Sequence, residues 1–401
     1  MHRANVWRLP SRAVVLCCRG ERSNSMAKVT LNNVSKTYKS KTGQDVTALH
    51  EFNLEVQDRE LIVLAGPTDC GNSTVMQLIA GLEEVSQGEI FLGDRLLNAI
   101  PPKDRDLAMV FAEAALFAHL TVAENLAFGL KLRKFAKAEI AKRVNQAANI
   151  LKIEPLLSLK PAGLNAGERQ RVAIGRAMVR QPKAFLFNAP LALLDSSTRA
   201  QLRAEIIDLH QRLQTTFIYA TCDPEEAMPL ADRIAVIKDG MVQQIGTPAK
   251  LYNEPANRFV AEYFGAPPMN VIRGKLRAGP AGVLFKEIGD GTIELKLTPT
   301  LELQAHLQPY AGQEVLLGIR PEDVALAPGT DGPRDAIFQG LVDRIEPMGA
   351  DTLFQVATGA HTMVIRSRGF VDHREAGRRF RFAVDLQKLH FFNPETTRRI
   401  G

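Results

Sequence analysis

At 401 residues, with 45% hydrophobic residues and ordinary glycine and proline content, the chain reads as a globular protein of two or three domains. No apolar run approaches the roughly 18 residues that a membrane-crossing helix needs. The net charge of +6 does not argue for nucleic acid, because five arginines against Glu21 in residues 1–25 contribute +4 and leave the remainder near neutral.

Residues 1–25 hold the apolar run Ala13–Cys18 between arginines. Six residues fall short of the roughly 7–15 of a signal-peptide core, so the folded chain is expected to start at Met26. Cys17, Cys18, Cys70 and Cys222 show neither metal-ligand spacing nor a disulfide framework, which fits a reducing cytoplasmic setting. A redox role for Cys70 or Cys222 stays open.

From Ala27 the sequence alternates as strands do, over Val29–Val34 and Val46–Val56, with a polar turn near Lys39–Gln44 between them. Tyr38, just before that turn, serves either as a stacking platform for a nucleotide base or as ordinary strand packing. Leu61–Ala65 then runs as a buried strand into Gly66, Pro67, Thr68, Asp69, Cys70, Gly71, Asn72, Ser73 and Thr74, and the spacing of Val75–Ile79 begins a helix. That is the layout of a P-loop, in which backbone N–H groups and a helix N-terminus cradle phosphates, a lysine reaches the β/γ-phosphates and a hydroxyl holds magnesium. Here Asn72 stands at the lysine position and Asp69 puts a carboxylate inside the loop, while Ser73 remains for the metal.

Gly88–Gly93 reads as a hairpin element and Leu107–Phe111 as a buried strand. Thr121–Asn125 has the hydroxyl and later acid of a helix start, and a helical pattern runs on through Ala138 to Leu151. Pro161–Gly167 is a loop feeding a helix over Glu168–Arg180, whose Arg169, Arg171, Arg176 and Arg180 read as a solvated face. Strands at Ala184–Phe187 and Phe217–Ala220 flank a helix at Thr198–Leu213, and Asp232–Gly240 supplies another strand ending in a turn. Such alternation predicts an α/β fold on a parallel sheet. Past Gly265–Met269 the helical periods fade, and runs such as Thr292–Leu297 and Glu314–Arg320 predict an all-β domain. The expected division is a leader over 1–25, an α/β domain over 26–264 and a smaller β domain over 265–401.

Several stretches together resemble the ATP-binding subunit of ABC importers, of the maltose and glycerol-3-phosphate type that import carbohydrates. They are Pro101–Phe111, Arg169–Ala177, Glu226–Ile234, Pro255–Val260 and Gly318–Val324, within a likeness that covers Ala27 to Phe392. The resemblance implies a P-loop ABC-type ATPase domain with a helical subdomain, followed by an oligonucleotide-binding-like regulatory domain. It implies ATP and Mg2+ as cofactors, and a homodimer or heterodimer of ATP-binding subunits at the cytoplasmic face of the inner (plasma) membrane. Transmembrane permease subunits are its implied partners, and no nucleic acid. Leu116–Val122 retains the apolar pattern of the permease-docking segment, or is plain core.

The resemblance also assigns positions. Ala112 stands where the family has the glutamine that meets magnesium and the attacking water. The signature LSGGQ reads Leu164, Asn165, Ala166, Gly167, Glu168, so its serine is gone. Asn188 and Ala189 replace the Walker B aspartate and the glutamate that polarises water, and Cys222 replaces the switch histidine. Asp195, in the inter-subunit loop, is kept. Losing one preorganised group typically costs about 10²–10³ in rate, and losses within one catalytic unit do not add. The expectation is therefore an importer subunit deficient in hydrolysis, with no functional catalytic group intact. The alternative is a structural or regulatory pseudo-ATPase subunit. The scaffold between these positions shows few prolines in helices or charges in strands, as a folded pseudoenzyme requires.

Overall fold

The computed structural model describes residues 27–39, 43, 45–279, 282–297, 306–327 and 336–401. The expected leader, with Cys17 and Cys18, lies outside them, as does much of the turn between Lys39 and Gln44.

The centre is a six-stranded sheet in the order β10-β9-β3-β8-β7-β6. Its strands are β3 (Leu61–Ala65), β6 (Leu107–Phe111), β7 (Ala184–Asn188), β8 (Thr216–Thr221), β9 (Arg233–Lys238) and β10 (Met241–Gly246). All neighbours pair in parallel except β10, which runs antiparallel to β9. A parallel sheet is covered on both faces, and these strands are accordingly short continuous apolar runs. Their alternation divides the core: Phe185, Phe187, Phe217 and Tyr219 pack on one face under helices, with Leu186, Ile218 and Ala220 on the other.

The second face carries α1 (Asn72–Ala80) and a four-stranded antiparallel sheet of β1 (Val29–Lys39), β2 (Asp45–Val56), β4 (Gln87–Leu92) and β5 (Arg95–Leu96). The first face carries α2 (Val122–Leu132), α3 (Lys137–Ile150), α4 (Ala166–Met178) and α5 (Ser196–Leu213). The predicted continuous helical pattern from Thr121 is two helices. Lys134 turns at φ 58°, and the chain restarts at Lys137. Helix α1 begins at Asn72 rather than Val75, and α4 at Ala166 rather than Glu168.

The arginine row of α4 is not a solvated face. Arg169, Arg171 and Arg176 on the helix, and Arg180 just past its end at Met178, are all half-buried. Arg171 pairs with Glu205 of α5 at 2.8 Å, and Arg176 donates to the Ala115 and Ala114 carbonyls at 2.7 and 3.1 Å. Burial pushes the Arg176 and Arg180 guanidinium pKa values down.

Short helices α6 (Pro224–Leu230), α7 (Pro248–Asn253) and α8 (Arg258–Tyr263) complete this part. Beyond α8 the chain forms strands joined by turns and single helical turns, as predicted. One sheet is β13-β12-β11-β14-β20, from β11 (Asn270–Gly279), β12 (Gly282–Glu287), β13 (Glu294–Leu297), β14 (Glu314–Ile319) and β20 (His390–Phe392). The other is β15-β19-β16-β17-β18, from β15 (Val324–Leu326), β16 (Ile337–Pro347), β17 (Asp351–Ala357), β18 (Thr362–Arg368) and β19 (Arg379–Val384). Both contribute to one apolar core. Arg320, 3% exposed, joins this β part to the helices before it. Its guanidinium lies 3.3 Å from the Tyr252 ring centroid and donates to the Phe264 and Tyr252 carbonyls.

Candidate functional site: a phosphate-type cradle without its charges

The cradle forms where β3 ends. A methyl group on Gly66 would sit 2.1 Å from the Ile237 carbonyl oxygen of β9, so only glycine lets the two strand ends come this close. The chain then turns back through two left-handed residues, Asp69 at φ 65° and Gly71 at φ 108°. A side chain on Gly71 would strike Leu49 at 2.8 Å and the Ala48 carbonyl at 3.1 Å. Both glycines are thus demanded by the packing of neighbouring strands. Pro67, Thr68 and Asp69 are exposed, Cys70 is buried and Thr74 is half-buried.

Gly71 caps α1 without a side-chain hydrogen bond, so the first N–H groups of the helix remain open to a ligand. The shape suits an anion, but within residues 66–74 the one charged side chain is Asp69. Asn72, 8% exposed, turns toward β8 and donates from Nδ2 to the Thr221 carbonyl at 3.2 Å. Its Oδ1 is buried without a partner.

Ser73 reaches the Walker B position. Its hydroxyl donates to Asn188 Oδ1 at 3.2 Å. A hydroxyl and a neutral amide are a poor donor set for Mg2+, which is normally held through carboxylates and substrate phosphates. Among the described residues no group of His, Cys, Asp and Glu is arranged to hold a metal ion. The residues present therefore do not fit protein-held Mg2+.

Ala189, at φ 46°, places a methyl group beyond Asn188 and donates its N–H to the Ala220 carbonyl at 2.8 Å. Ala112 likewise offers no polar side chain; the residue before it, Phe111, accepts from Gln170 at 2.9 Å. Cys222 is exposed, and its carbonyl accepts from the Tyr263 hydroxyl at 3.0 Å. Burial pushes the Cys70 thiol up to about 11. Tyr38 lies in β1 opposite Val46, with the Lys36 ammonium 4.7 Å from its ring centroid.

The segment Leu164–Glu168 stands apart from the cradle. Among the described residues no hydrogen bond or ion pair joins it to residues 66–74. Asn165 Oδ1 accepts from the Glu168 N–H and Glu168 Oε2 from the Asn165 N–H, both at 2.8 Å, in a reciprocal cap that places a carboxylate at the start of α4. Ala166 is exposed, and a methyl on Gly167 would meet the Thr198 side chain at 2.7 Å. Asp195 caps α5 by accepting from the Thr198 N–H at 3.0 Å, which lowers its carboxyl pKa.

Arg199 links two of these segments, a connection that the motifs alone do not flag. It donates to the Leu194 carbonyl at 3.1 Å and pairs with Asp223 at 3.3 Å, tying the loop before Asp195 to the loop after Cys222. Its position in the first turn after Asp195 is the available signal.

The ABC transporter family profile matches residues 49–192, the MalK OB fold domain 265–324 and the TOBE domain 317–392. The chain is 43% identical over 377 residues to the sn-glycerol-3-phosphate import ATP-binding protein UgpC of Cupriavidus necator, covering 94% of this chain and all of that one. This is an ABC transporter ATP-binding protein. It is also 43% identical to the oligosaccharides import ATP-binding protein MsmX of Bacillus subtilis, over 94% of this chain and 100% of that protein. Among solved structures, the ABC subunit is similar to cbiO1 of Clostridium perfringens, part of the transporter complex cbiONQ, at TM-score 0.52 and 26% identity. That match covers 56% of this chain and 90% of the other. A dimeric bacterial ABC transporter cassette, MJ0796, matches at TM-score 0.50 and 27% identity, over 55% and 98% of the two chains.

Proposed function

We propose that this chain is the ATP-binding-type subunit of a sugar or glycerol-3-phosphate importer, and that it does not hydrolyse ATP. The import role rests on the functions of UgpC and MsmX together with near-complete coverage. The hydrolysis deficiency rests on one observation: the Asn72 amide is spent on the Thr221 carbonyl, and no positive side chain takes its place in the loop. With Ala112, Asn188, Ala189 and Cys222 at the other reactive positions, no group remains to activate water or offset developing charge. Residues 26–264 form the nucleotide-binding unit and 265–401 the regulatory β unit.

The subunit pairs with a second ATP-binding subunit, identical or not, and docks on transmembrane permeases at the cytoplasmic face of the inner membrane. Leu116, Phe117 and Leu120 support docking, being half-buried rather than sealed in the core. A live partner would be served poorly from both sides, by Asn72 in one composite site and by Asn165 with Glu168 in the other. A second reading, a scaffold that binds no nucleotide, is favoured by the Asp69 carboxylate in the loop.

Thermal unfolding with and without millimolar ATP and Mg2+, beside phosphate release in a complex reconstituted with its permeases, tests both. A ligand at about 100 times its Kd adds roughly 2.7 kcal/mol. A clear upward shift without phosphate release supports a subunit that nucleotide closes but does not drive. No shift leaves the scaffold, and phosphate release at ordinary rates ends the proposal.

A further inference from the structure

Two cysteines follow the ends of adjacent strands in this cradle, Cys70 in the loop after β3 and Cys222 directly after β8. Cys70 curls back so that a methyl built on Gly66 would lie 2.7 Å from its sulfur. Gly66 follows Ala65, whose register partner across the sheet is Thr221, and Cys222 comes directly after Thr221. Gly66 and Cys222 therefore continue from neighbouring strands, which lie about 4.8 Å apart, and the Cys70 sulfur packs against Gly66. One bond ties the two segments together, Asn72 Nδ2 to the Thr221 carbonyl at 3.2 Å, and a second anchors the Cys222 carbonyl to the Tyr263 hydroxyl of α8 at 3.0 Å. Both cysteines are free, one buried and one exposed.

We propose that Cys70 and Cys222 form a peroxide-responsive dithiol, in which the exposed Cys222 is oxidised first and the buried Cys70 closes a disulfide onto it. In the first step the Cys222 thiol and hydrogen peroxide give the sulfenic acid and one water. In the second the Cys70 sulfur attacks the Cys222 sulfur, a second water leaves, and the S–S bond forms. Two electrons pass from the sulfurs to the peroxide, and both thiol protons end in water. Burial shields Cys70 from peroxide, so the exposed Cys222 is oxidised first, and the proton that Cys70 gives up as it attacks leaves in the second water. The bond fixes the Gly66–Gly71 loop to the loop that begins at Cys222. The inference goes beyond the proposed function, since it holds whether or not the cradle takes nucleotide.

The test uses the reduced full chain, treated in native buffer with equimolar hydrogen peroxide, blocked with iodoacetamide and digested without reductant. The expected result is a peptide pair joining Cys70 to Cys222, lighter by about 2 Da than the free peptides and released by dithiothreitol. It should exceed links to Cys17 or Cys18 by about tenfold, and lose that excess when oxidation is done in guanidinium. Cys222→Ser, at an exposed position, should keep the native melting temperature and give no linked peptide with Cys70. Cys222 recovered as sulfinic acid, linked to Cys17 or Cys18, or still alkylated overturns the proposal.

Discussion

Asn72 has a shorter side chain than the lysine expected at its position, and its amide donates to the Thr221 carbonyl of β8. A buried oxygen is left unpaired as the consequence. Restoring charge at one position does not rebuild the site, because the losses belong to one unit. Asn72→Lys, Asn188→Asp or Ala189→Glu alone should leave phosphate release at background. The joint restoration of these three with Asp69→Gly, Ala112→Gln, Cys222→His and the signature changes Asn165→Ser, Ala166→Gly and Glu168→Gln should raise it at least about 100-fold, measured on the purified chain. Gly66 calls for a different experiment. A methyl there meets a backbone carbonyl rather than a flexible side chain, so Gly66→Ala should destabilise the fold by about 1–3 kcal/mol in chemical denaturation, with or without nucleotide present.

At the level of elements, α4 starts with its own reciprocal cap, and removing half of it has a predictable cost. Asn165→Ala should lose about 1 kcal/mol of stability, seen as a lower melting temperature. The strands of the central sheet were legible because a short apolar run between polar turns has few alternatives, as in Leu61–Ala65 and Ala184–Phe187. The loop after Leu61–Ala65 was legible too, since Gly66 and Gly71 mark the turns. The break between α2 and α3 was not, because Lys134 makes it in a left-handed conformation with no glycine or proline nearby. The α4 arginines were misread for another reason: the acceptors of Arg176 are the carbonyls of Ala114 and Ala115, about sixty residues away in sequence, and Arg171 finds Glu205 on a separate helix. Side-chain periodicity reports a face, not what covers it. In the cradle, the residue types predicted an absence of positive charge, but not that Ser73 and Asn188 would bond to each other.

Across the whole molecule, the two parts are clasped at Arg320. It combines a ring contact with two carbonyl hydrogen bonds in a buried setting, and its neighbour Glu322 takes the Tyr252 hydroxyl. Arg320→Ala should cost about 3 kcal/mol, and calorimetry should show the two parts unfolding further apart in temperature than in the unchanged chain. His390 sits in the same region, 7% exposed with Nδ1 unpartnered. Burial first, then Arg399 and Arg320, lowers its pKa from 6.5 to about 4. The folded state thus holds fewer protons than the unfolded chain between those values. This contribution is fully present above pH 6.5 and drains away as pH falls toward about 4, by at most about 3 kcal/mol. His390→Phe should flatten the dependence of unfolding free energy on pH across that window.

The close approach of Ile237 to Gly66 has a consequence for how such a chain drifts over time. Selection for a folded subunit is enough to hold that glycine, and Leu49 with Ala48 does the same for Gly71. The visible outline of a nucleotide-binding loop will therefore outlast any use of nucleotide. A pattern search keyed to those two glycines finds this loop whether or not it takes nucleotide, and a difference from a hydrolysing subunit is written instead in the residues between them and in Ala112, Asn188, Ala189 and Cys222 elsewhere in the chain.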